Sequence, residues 1–146
     1  MEKILFLSLL FLTACEQPTS QNNENQNAHR WYTQQQRELG SKVYQQHCVQ
    51  CHKKDAMGTD AWKVTRLNGV YPPPPLNGTA HAWHHDMETL TRTIKEGGIP
   101  LGGVMPGFEK KLSTAEIGAV IAYFQSFWSD ETYTSWIEIG GLEVGD

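Results

Sequence analysis

Cys48-Val49-Gln50-Cys51-His52 is the stretch around which the chain is organised. Two thiols separated by two residues can each form a thioether with one vinyl group of the same porphyrin, and the adjacent imidazole can then bind the iron. A bare C-x-x-C pair would leave thiol–disulfide exchange or half of a zinc site open. The immediate histidine, and the lack of another cysteine nearby, argue against both. The motif therefore predicts a site for covalent haem attachment.

The composition is that of one modest domain. The chain has 146 residues, of which 39% are hydrophobic and 19% are charged, so it is globular but polar for its size. A chain this small gains much of its core if it wraps an apolar porphyrin. Its formal net charge is −4, and we expect no nucleic-acid partner. If two of the three cysteines hold haem, the remaining one, Cys15, needs an explanation of its own.

The N-terminus supplies that explanation. The run over residues 4–12 is apolar but too short to span a bilayer as a mature helix, and it ends in Leu12-Thr13-Ala14-Cys15. This arrangement resembles a bacterial lipoprotein signal, whose lipobox places a small residue before a cysteine. The resemblance implies a signal peptide over residues 1–14 with its lipobox at residues 12–15, and lipidation of Cys15. An unlipidated secretory protein is the alternative. Both predict export to the periplasmic side of a bacterial cell envelope.

Two segments flank the expected domain over residues 31–128. Residues 15–30 are rich in Asn and Gln and cannot bury enough apolar surface to offset their ordering entropy, so they predict a flexible tether. Residues 129–146 are an acidic C-terminal tail with five Asp or Glu and no Lys or Arg, although its aromatic residues suggest that its first part packs against the domain. The span from Arg30 to Trp128 carries eleven Lys or Arg and eight Asp or Glu, a charge of +3.

The apolar spacing before the haem motif predicts a helix over residues 33–47. Leu39, Val43 and Tyr44 fall on one face of this helix. Gly40 would weaken a helix interior unless another backbone must come close to it. The helix is therefore expected to pack tightly against a second element.

Two later stretches also predict helices. Asp86 can cap a helix that runs to Lys95 and is ended by Gly97-Gly98. Ser113-Thr114-Ala115-Glu116 is a capping box that opens another helix. The apolar face of that helix contains Ile117, Val120, Ile121, Phe124 and Trp128.

Gly40-x-x-Val43-Tyr44, followed by the haem attachment motif, resembles the N-terminal helix of the class I cytochromes c. In that family the glycine and the aromatic residue mark where this helix crosses the C-terminal helix, which the helix after Ser113 resembles. The resemblance implies an all-α fold, with about four helices wrapped around one covalently attached haem c. It gives Cys48 and Cys51 as the attachment residues, with His52 as the proximal iron ligand.

Two loops extend this resemblance. Pro74-x-Leu76-x-Gly78 is similar to a family loop in which the carbonyl of the first proline accepts a hydrogen bond from the proximal histidine. Pro74 is thereby implied to orient His52, although four consecutive prolines leave the register open by one. Met105-Pro106 resembles the distal ligand loop and implies Met105 as the sixth iron ligand. Met57 is expected to pack instead, because it lies too close to His52 along the chain, and Met87 belongs to an apolar helix face.

Three histidines, His81, His84 and His85, lie within five positions. They could form an accessory copper or zinc site. The interpretation that we favour is polar packing near the haem propionates or at a helix start. Trp62 is expected to contact the haem or the core.

Two lysine pairs follow the two iron-ligand motifs: Lys53-Lys54 and Lys110-Lys111. Our hypothesis is that they form a positive rim at the haem edge that steers docking to an acidic redox partner. Ordinary solvated lysines are the alternative.

The function implied by this resemblance is single-electron transfer rather than catalysis. With His52 and Met105 both on iron, no coordination position stays open for a substrate. The expected partners are a redox donor and acceptor, such as a cytochrome bc-type complex, a terminal oxidase or a periplasmic reductase, and the membrane through the lipid anchor. Two alternatives stay open: a haem subunit fixed in a membrane oxidase or reductase, and an open-site haem sensor or peroxidase.

Overall fold

The computed structural model describes residues 30–66 and 68–143. The predicted signal peptide, the lipidation at Cys15 and all of the tether except Arg30 lie outside the described residues. The described residues contain no strand, so the predicted all-α class is confirmed. The helices are α1 (Gln34–His47), α2 (Val49–His52), α3 (Met87–Glu96), α4 (Thr114–Gln125) and α5 (Asp130–Glu138), and 3₁₀ turns cover Lys54–Ala56, His81–His84 and Ile99–Leu101.

The α1–α4 crossing is the centre of the fold. Thr33 caps α1 in a capping box with Gln36, which satisfies donors of the first turn. A Cβ at Gly40 would collide with the carbonyl oxygen of Ala119, so only glycine lets the two backbones approach this closely. One turn further along, the rings of Tyr44 and Tyr123 pack with centroids 5.0 Å apart.

This crossing corrects one detail of the predicted apolar face. Val43 and Tyr44 are buried with Gly40, but Leu39 is 40% exposed. The physical reason is that the contact with α4 is centred on Gly40, which turns the preceding position toward solvent.

Helix α4 has the predicted start and the predicted apolar face. Ser113 and Glu116 form the capping box reciprocally. All five predicted apolar residues from Ile117 to Trp128 are buried.

Helix α3 begins at the Asp86 cap, whose carboxylate accepts from the Thr89 amide at 2.6 Å. This hydrogen bond lowers the pKa of Asp86.

Helix α5 lies in the acidic tail and packs against the rest of the domain. Trp136 is fully buried, and its Nε1 donates to the carbonyl oxygen of His85 at 2.8 Å. Arg30 forms an ion pair of 2.7 Å with Asp130 and stacks on the Tyr133 ring. No helix within the described ranges has both the length and the apolar character needed to cross a membrane.

Candidate haem-binding site

A cavity of about 750 Å³ lies between the haem motif, the proline run, α3 and the loop before α4. Its volume is in the range of natural cofactor sites, and leucine, proline and aromatic side chains contribute much of its wall. The structure brings all five predicted haem residues to this one cavity: Cys48, Cys51, His52, Pro74 and Met105.

The two motif cysteines lie on one short helical turn. The amides of Cys51 and His52 donate to the carbonyl oxygen of Cys48 at 3.1 and 2.9 Å. Burial, followed by the neighbouring Cys51, raises the pKa of Cys48 to about 11. Thiol–disulfide exchange instead relies on a cysteine with a lowered pKa. Both cysteines are free thiols, and the turn presents them together at the cavity wall.

The surroundings of His52 suit the role of a metal ligand. Its ring is buried, and Nδ1 lies 2.9 Å from the Pro74 carbonyl oxygen. A carbonyl can only accept, so Nδ1 carries the proton and Nε2 keeps a free lone pair. Burial lowers the pKa of His52, with the Pro74 hydrogen bond acting in the opposite direction. A neutral imidazole is the form that binds iron.

Backbone hydrogen bonds hold the proline run beside His52. The Thr59 amide donates to Pro73 at 3.0 Å and the Leu76 amide donates to Ala56 at 2.8 Å. From the other side, Trp128 Nε1 donates to the Leu76 carbonyl at 2.8 Å. The run is therefore fixed at both faces, and among its four prolines it is Pro74 that meets the histidine.

The Met105 loop is docked on the C-terminal end of α3. The Gly98 amide donates to the Met105 carbonyl at 2.9 Å, and the Phe108 amide donates to Ile94 at 3.0 Å. Gly97 has φ +87°, and a Cβ there would lie 2.6 Å from the Met105 carbonyl oxygen. The Met105 side chain is partly buried and lines the same cavity as His52.

The other two methionines of the described region do not line the cavity. Met87 packs partly buried against the core, in agreement with its place on the apolar face of α3. The prediction that Met57 packs is wrong, because its side chain is 56% exposed. It follows the 3₁₀ turn after the haem motif, where the chain passes over the surface.

Aromatic side chains form another part of the cavity wall. Trp62 lines the cavity as expected, together with His81 and His85, whereas His84 does not. Within the described residues, no group of three His, Cys, Asp or Glu side chains is placed to hold a metal ion, so the accessory-metal hypothesis for the histidines has no support.

Sequence reasoning missed two cationic residues in the cavity wall, Lys63 and Arg92. The signal that could have found them is chemical. A haem carries two ionised carboxylates, which require cationic or hydrogen-bonding partners. Lys and Arg residues between the two ligand motifs were therefore candidates for contacts with these carboxylates.

The residues present fit a haem. The cavity offers an apolar wall, two adjacent thiols, an imidazole with a free Nε2 and a thioether.

The family described as cytochrome c oxidase, cbb3-type, subunit III matches residues 35–124. The chain belongs to this cytochrome c family. Family membership implies haem c as the cofactor and electron transfer as the role.

Curated relatives of this cytochrome c domain include subunits of two kinds of complex. The chain is 29% identical over 98 residues to the cytochrome c subunit of alcohol dehydrogenase (quinone) from Gluconobacter oxydans (strain 621H), covering 62% of this chain and 18% of that one. It is 32% identical over 84 residues to the cbb3-type cytochrome c oxidase subunit CcoP of Azospirillum sp. (strain B510), covering 58% of this chain and 26% of that one.

A second CcoP subunit, from Azospirillum brasilense, is 34% identical over 88 residues, covering 59% of this chain and 26% of that one. The chain thus spans about a fifth to a quarter of the length of these curated relatives. No solved structure matches significantly.

Proposed function

We propose that this protein is a single-electron carrier that holds one haem c through thioethers to Cys48 and Cys51, with His52 and Met105 as axial ligands. The observation that carries the proposal is that an imidazole with a free Nε2 and a thioether line one cavity beside two thiols. Haem bound there supplies an iron that changes between the ferric and ferrous states by one electron.

The chain's own residues support this role in distinct ways. The Pro74 carbonyl fixes the ring orientation and tautomer of His52 through the 2.9 Å hydrogen bond. A methionine opposite histidine favours the ferrous state and raises the reduction potential. If His52 and Met105 both hold the iron, no coordination position would stay open for a substrate, and the protein would act as a carrier rather than as an enzyme.

The ligand assignment is tested by absorption spectra of the purified haem-loaded protein. We expect one haem per chain and, in the ferric protein, the far-red charge-transfer band of a methionine-ligated haem. Met105→Ala should lose the band while it keeps the covalent haem. Met57→Ala is the matched control, because Met57 is exposed and outside the cavity wall, and it should keep the band. A wild-type protein without the band would favour the open-site sensor or peroxidase instead.

We also propose that the domain over residues 31–128 is tethered to a membrane on the periplasmic side through lipidated Cys15 and the segment over residues 15–30. The lipobox-like sequence supports this arrangement. Cys15→Ser should move the protein from the membrane fraction to the soluble fraction without changing its haem spectrum. Retention of the variant in membranes would show that something other than a lipid holds it there.

A fixed subunit of a membrane oxidase or dehydrogenase is the second candidate, because the curated relatives are named as subunits of such complexes. A carrier exchanges its donor and acceptor, whereas a subunit copurifies with one partner. Mild detergent extraction followed by size-exclusion chromatography separates these possibilities. A haem peak at the size of a large complex favours the subunit, and a peak at the size of the chain favours the carrier.

The proposed docking surface is the rim formed by Lys53, Lys54, Lys110 and Lys111, which are all exposed. Lys53 directly follows His52, and Lys111 approaches Phe108 of the cavity wall, with Nζ 6.0 Å from the ring centroid. Replacing all four by Gln should flatten the dependence of electron-transfer rate on ionic strength. Lys42→Gln on the surface of α1 is the control. An unchanged salt dependence in the fourfold variant would remove the rim hypothesis.

A further inference from the structure

Three aromatic rings form a contiguous cluster in the cavity wall. The rings of Trp62 and His81 are stacked, with centroids 4.8 Å apart and an interplanar angle of 26°. The ring of His85 meets that of His81 edge-on at 5.4 Å. All three residues line the cavity. His84 differs from them, because it stacks on Trp83 at 3.8 Å and is not part of the wall.

One end of this cluster is held from outside the region that the family match covers. Trp136 of α5 is fully buried and donates from Nε1 to the His85 carbonyl at 2.8 Å. The Met87 amide, two residues after His85, donates to Gly141 at 2.8 Å. Residues 136 and 141 lie beyond the matched span 35–124. The extension thus anchors the backbone of the histidine segment at His85 and Met87.

The charged or titratable groups that share the cavity or the histidine segment with His81 are mostly cationic or imidazole groups. Lys63, whose Nζ lies 5.0 Å from the Trp62 ring centroid, comes from the preceding turn. Arg92 and Glu96 come from α3 and line the cavity. On the histidine segment itself are His84, His85 and Asp86.

Two of the nearby carboxylates, those of Asp86 and Glu88, contact other groups, and that of Glu96 lines the cavity. Asp86 accepts from the Thr89 amide as the cap of α3. Arg92 approaches Glu88 at 3.8 Å, with both side chains about half exposed. Among the ion pairs of the described residues, neither involves His81, His85 or Lys63. This wall therefore suits an anion, and a haem brings two carboxylates to it.

We propose that His81, supported by Trp62 and His85, binds a propionate carboxylate of the haem and takes up one proton when the haem iron is reduced. This inference rests on the proposed function. On reduction, the oxidised protein accepts one electron from its redox donor and one proton from solvent, and the proton stays on His81 as imidazolium. On oxidation, the electron passes to the acceptor and the proton returns to solvent.

The coupling follows from electrostatics. Reduction lowers the charge of the iron centre by one, so an imidazolium in the same cavity is repelled less in the ferrous state. Burial, followed by His85, His84 and Lys63, lowers the pKa of His81 from its ordinary value of 6.5. An ionised carboxylate beside the ring acts on the pKa of His81 in the opposite direction. A change of one unit of charge at the iron then shifts the proton affinity of the ring, which is higher in the ferrous state.

The test is the midpoint potential of the full-length haem-loaded protein, measured by optical redox titration across the range from mildly acidic to mildly alkaline pH. The potential should be higher at the acidic plateau and fall to a lower alkaline plateau. A tenfold difference in the proton affinity of His81 between the two states corresponds to ~59 mV between the plateaus. His81→Asn should remove most of this difference. His84→Asn is the matched control and should keep it.

The outcomes separate this inference from the proposed function. A wild-type protein with the far-red band but a flat potential overturns proton uptake and leaves the carrier intact. A pH-dependent potential that persists in His81→Asn assigns the proton to another group and also overturns the proposal. If His81→Asn fails to fold, NMR titration of the wild-type His81 ring decides, because equal proton affinities in the ferric and ferrous proteins contradict coupling.

Discussion

The two sides of the cavity that carry the proposed iron ligands are held in different ways. On one side the ring of the proposed ligand is itself fixed, because His52 is 7% exposed and its Nδ1 donates to Pro74. On the other side Met105 is held through its backbone, whose carbonyl accepts from Gly98, while its side chain is only partly buried. The His52 side is part of the packed fold, and the Met105 side is a loop docked onto it.

The backbone conformations show the same contrast. After His52 the chain adopts positive φ at three residues that are not glycine: Lys53, Asp55 and Ala56. Around the Met105 loop the positive φ values belong to glycines, Gly97 and Gly102. Ordinary residues keep such a conformation only where their surroundings enforce it. We therefore expect damage on the His52 side to spread through the fold and damage on the Met105 side to stay local.

The largest effect should come from Gly40→Ala, at the helix crossing that supports the His52 side. The new Cβ would collide with the Ala119 carbonyl, and backbone atoms of two packed helices cannot move aside cheaply. We expect a loss of at least ~3 kcal/mol in the free energy of unfolding of the haem-loaded protein. Guanidinium denaturation followed by far-UV circular dichroism measures it.

The same substitution in the partner helix is the control. A Cβ at Gly118 meets nothing within 4 Å, so Gly118→Ala should stabilise α4 by up to ~1 kcal/mol through helix propensity. Equal effects of the two substitutions would mean that the helices do not cross at Gly40.

A smaller and more local effect is expected from Gly97→Ala. The Cβ would press on the Met105 carbonyl, and the positive φ adds strain, so the Met105 loop should be displaced at a cost of ~2 kcal/mol. In a denaturant titration, the far-red band should vanish well before the circular dichroism signal changes. In the wild-type protein, the two transitions, loss of the band and loss of the circular dichroism signal, should occur at denaturant concentrations that lie closer together.

Gly69→Ala is the control that separates the effect of a Cβ collision from the effect of strain at a positive φ. Gly69 also has positive φ, at +76°, but a Cβ there meets nothing within 4 Å. This variant should leave the separation between the two transitions unchanged. If Gly97→Ala instead shifts both transitions together, the Met105 loop is not an independent unit.

The parts of the fold that could be predicted from sequence are those with local signals. The capping box at Ser113 and the cap at Asp86 depend on residues three positions apart, and both are present. The apolar face of α4 follows from helical spacing. Leu39 and Met57 show the limit of such reasoning, because their exposure is decided by where α1 meets α4 and where the chain leaves the core.

The cavity wall depends on long-range contacts that spacing does not reveal. His85 receives a hydrogen bond from Trp136, 51 positions away. The His81 ring stacks on Trp62, and Lys63 joins them from the same turn. The sequence shows three histidines close together, but only the structure separates the two that line the cavity from His84, which does not.

The smallest predicted effect concerns the backbone strain at Lys53, on the His52 side of the cavity. Lys53 has φ +65° and ψ 173°, a region that is essentially restricted to glycine. Lys53→Gly should relieve about 1–3 kcal/mol of strain and lose ~1 kcal/mol through the greater freedom of the unfolded chain. We expect a net gain of ~1 kcal/mol in the free energy of unfolding, measured by guanidinium denaturation.

Lys54→Gly is the matched control, because Lys54 is also exposed and is not among the residues with positive φ. It should lose ~1 kcal/mol, since only the entropy of the unfolded chain changes. A gain at position 53 beside a loss at position 54 would show that the packing around His52 holds an ordinary residue in a strained conformation. Losses at both positions would place Lys53 in a relaxed backbone, and the two sides of the cavity would then differ in packing alone.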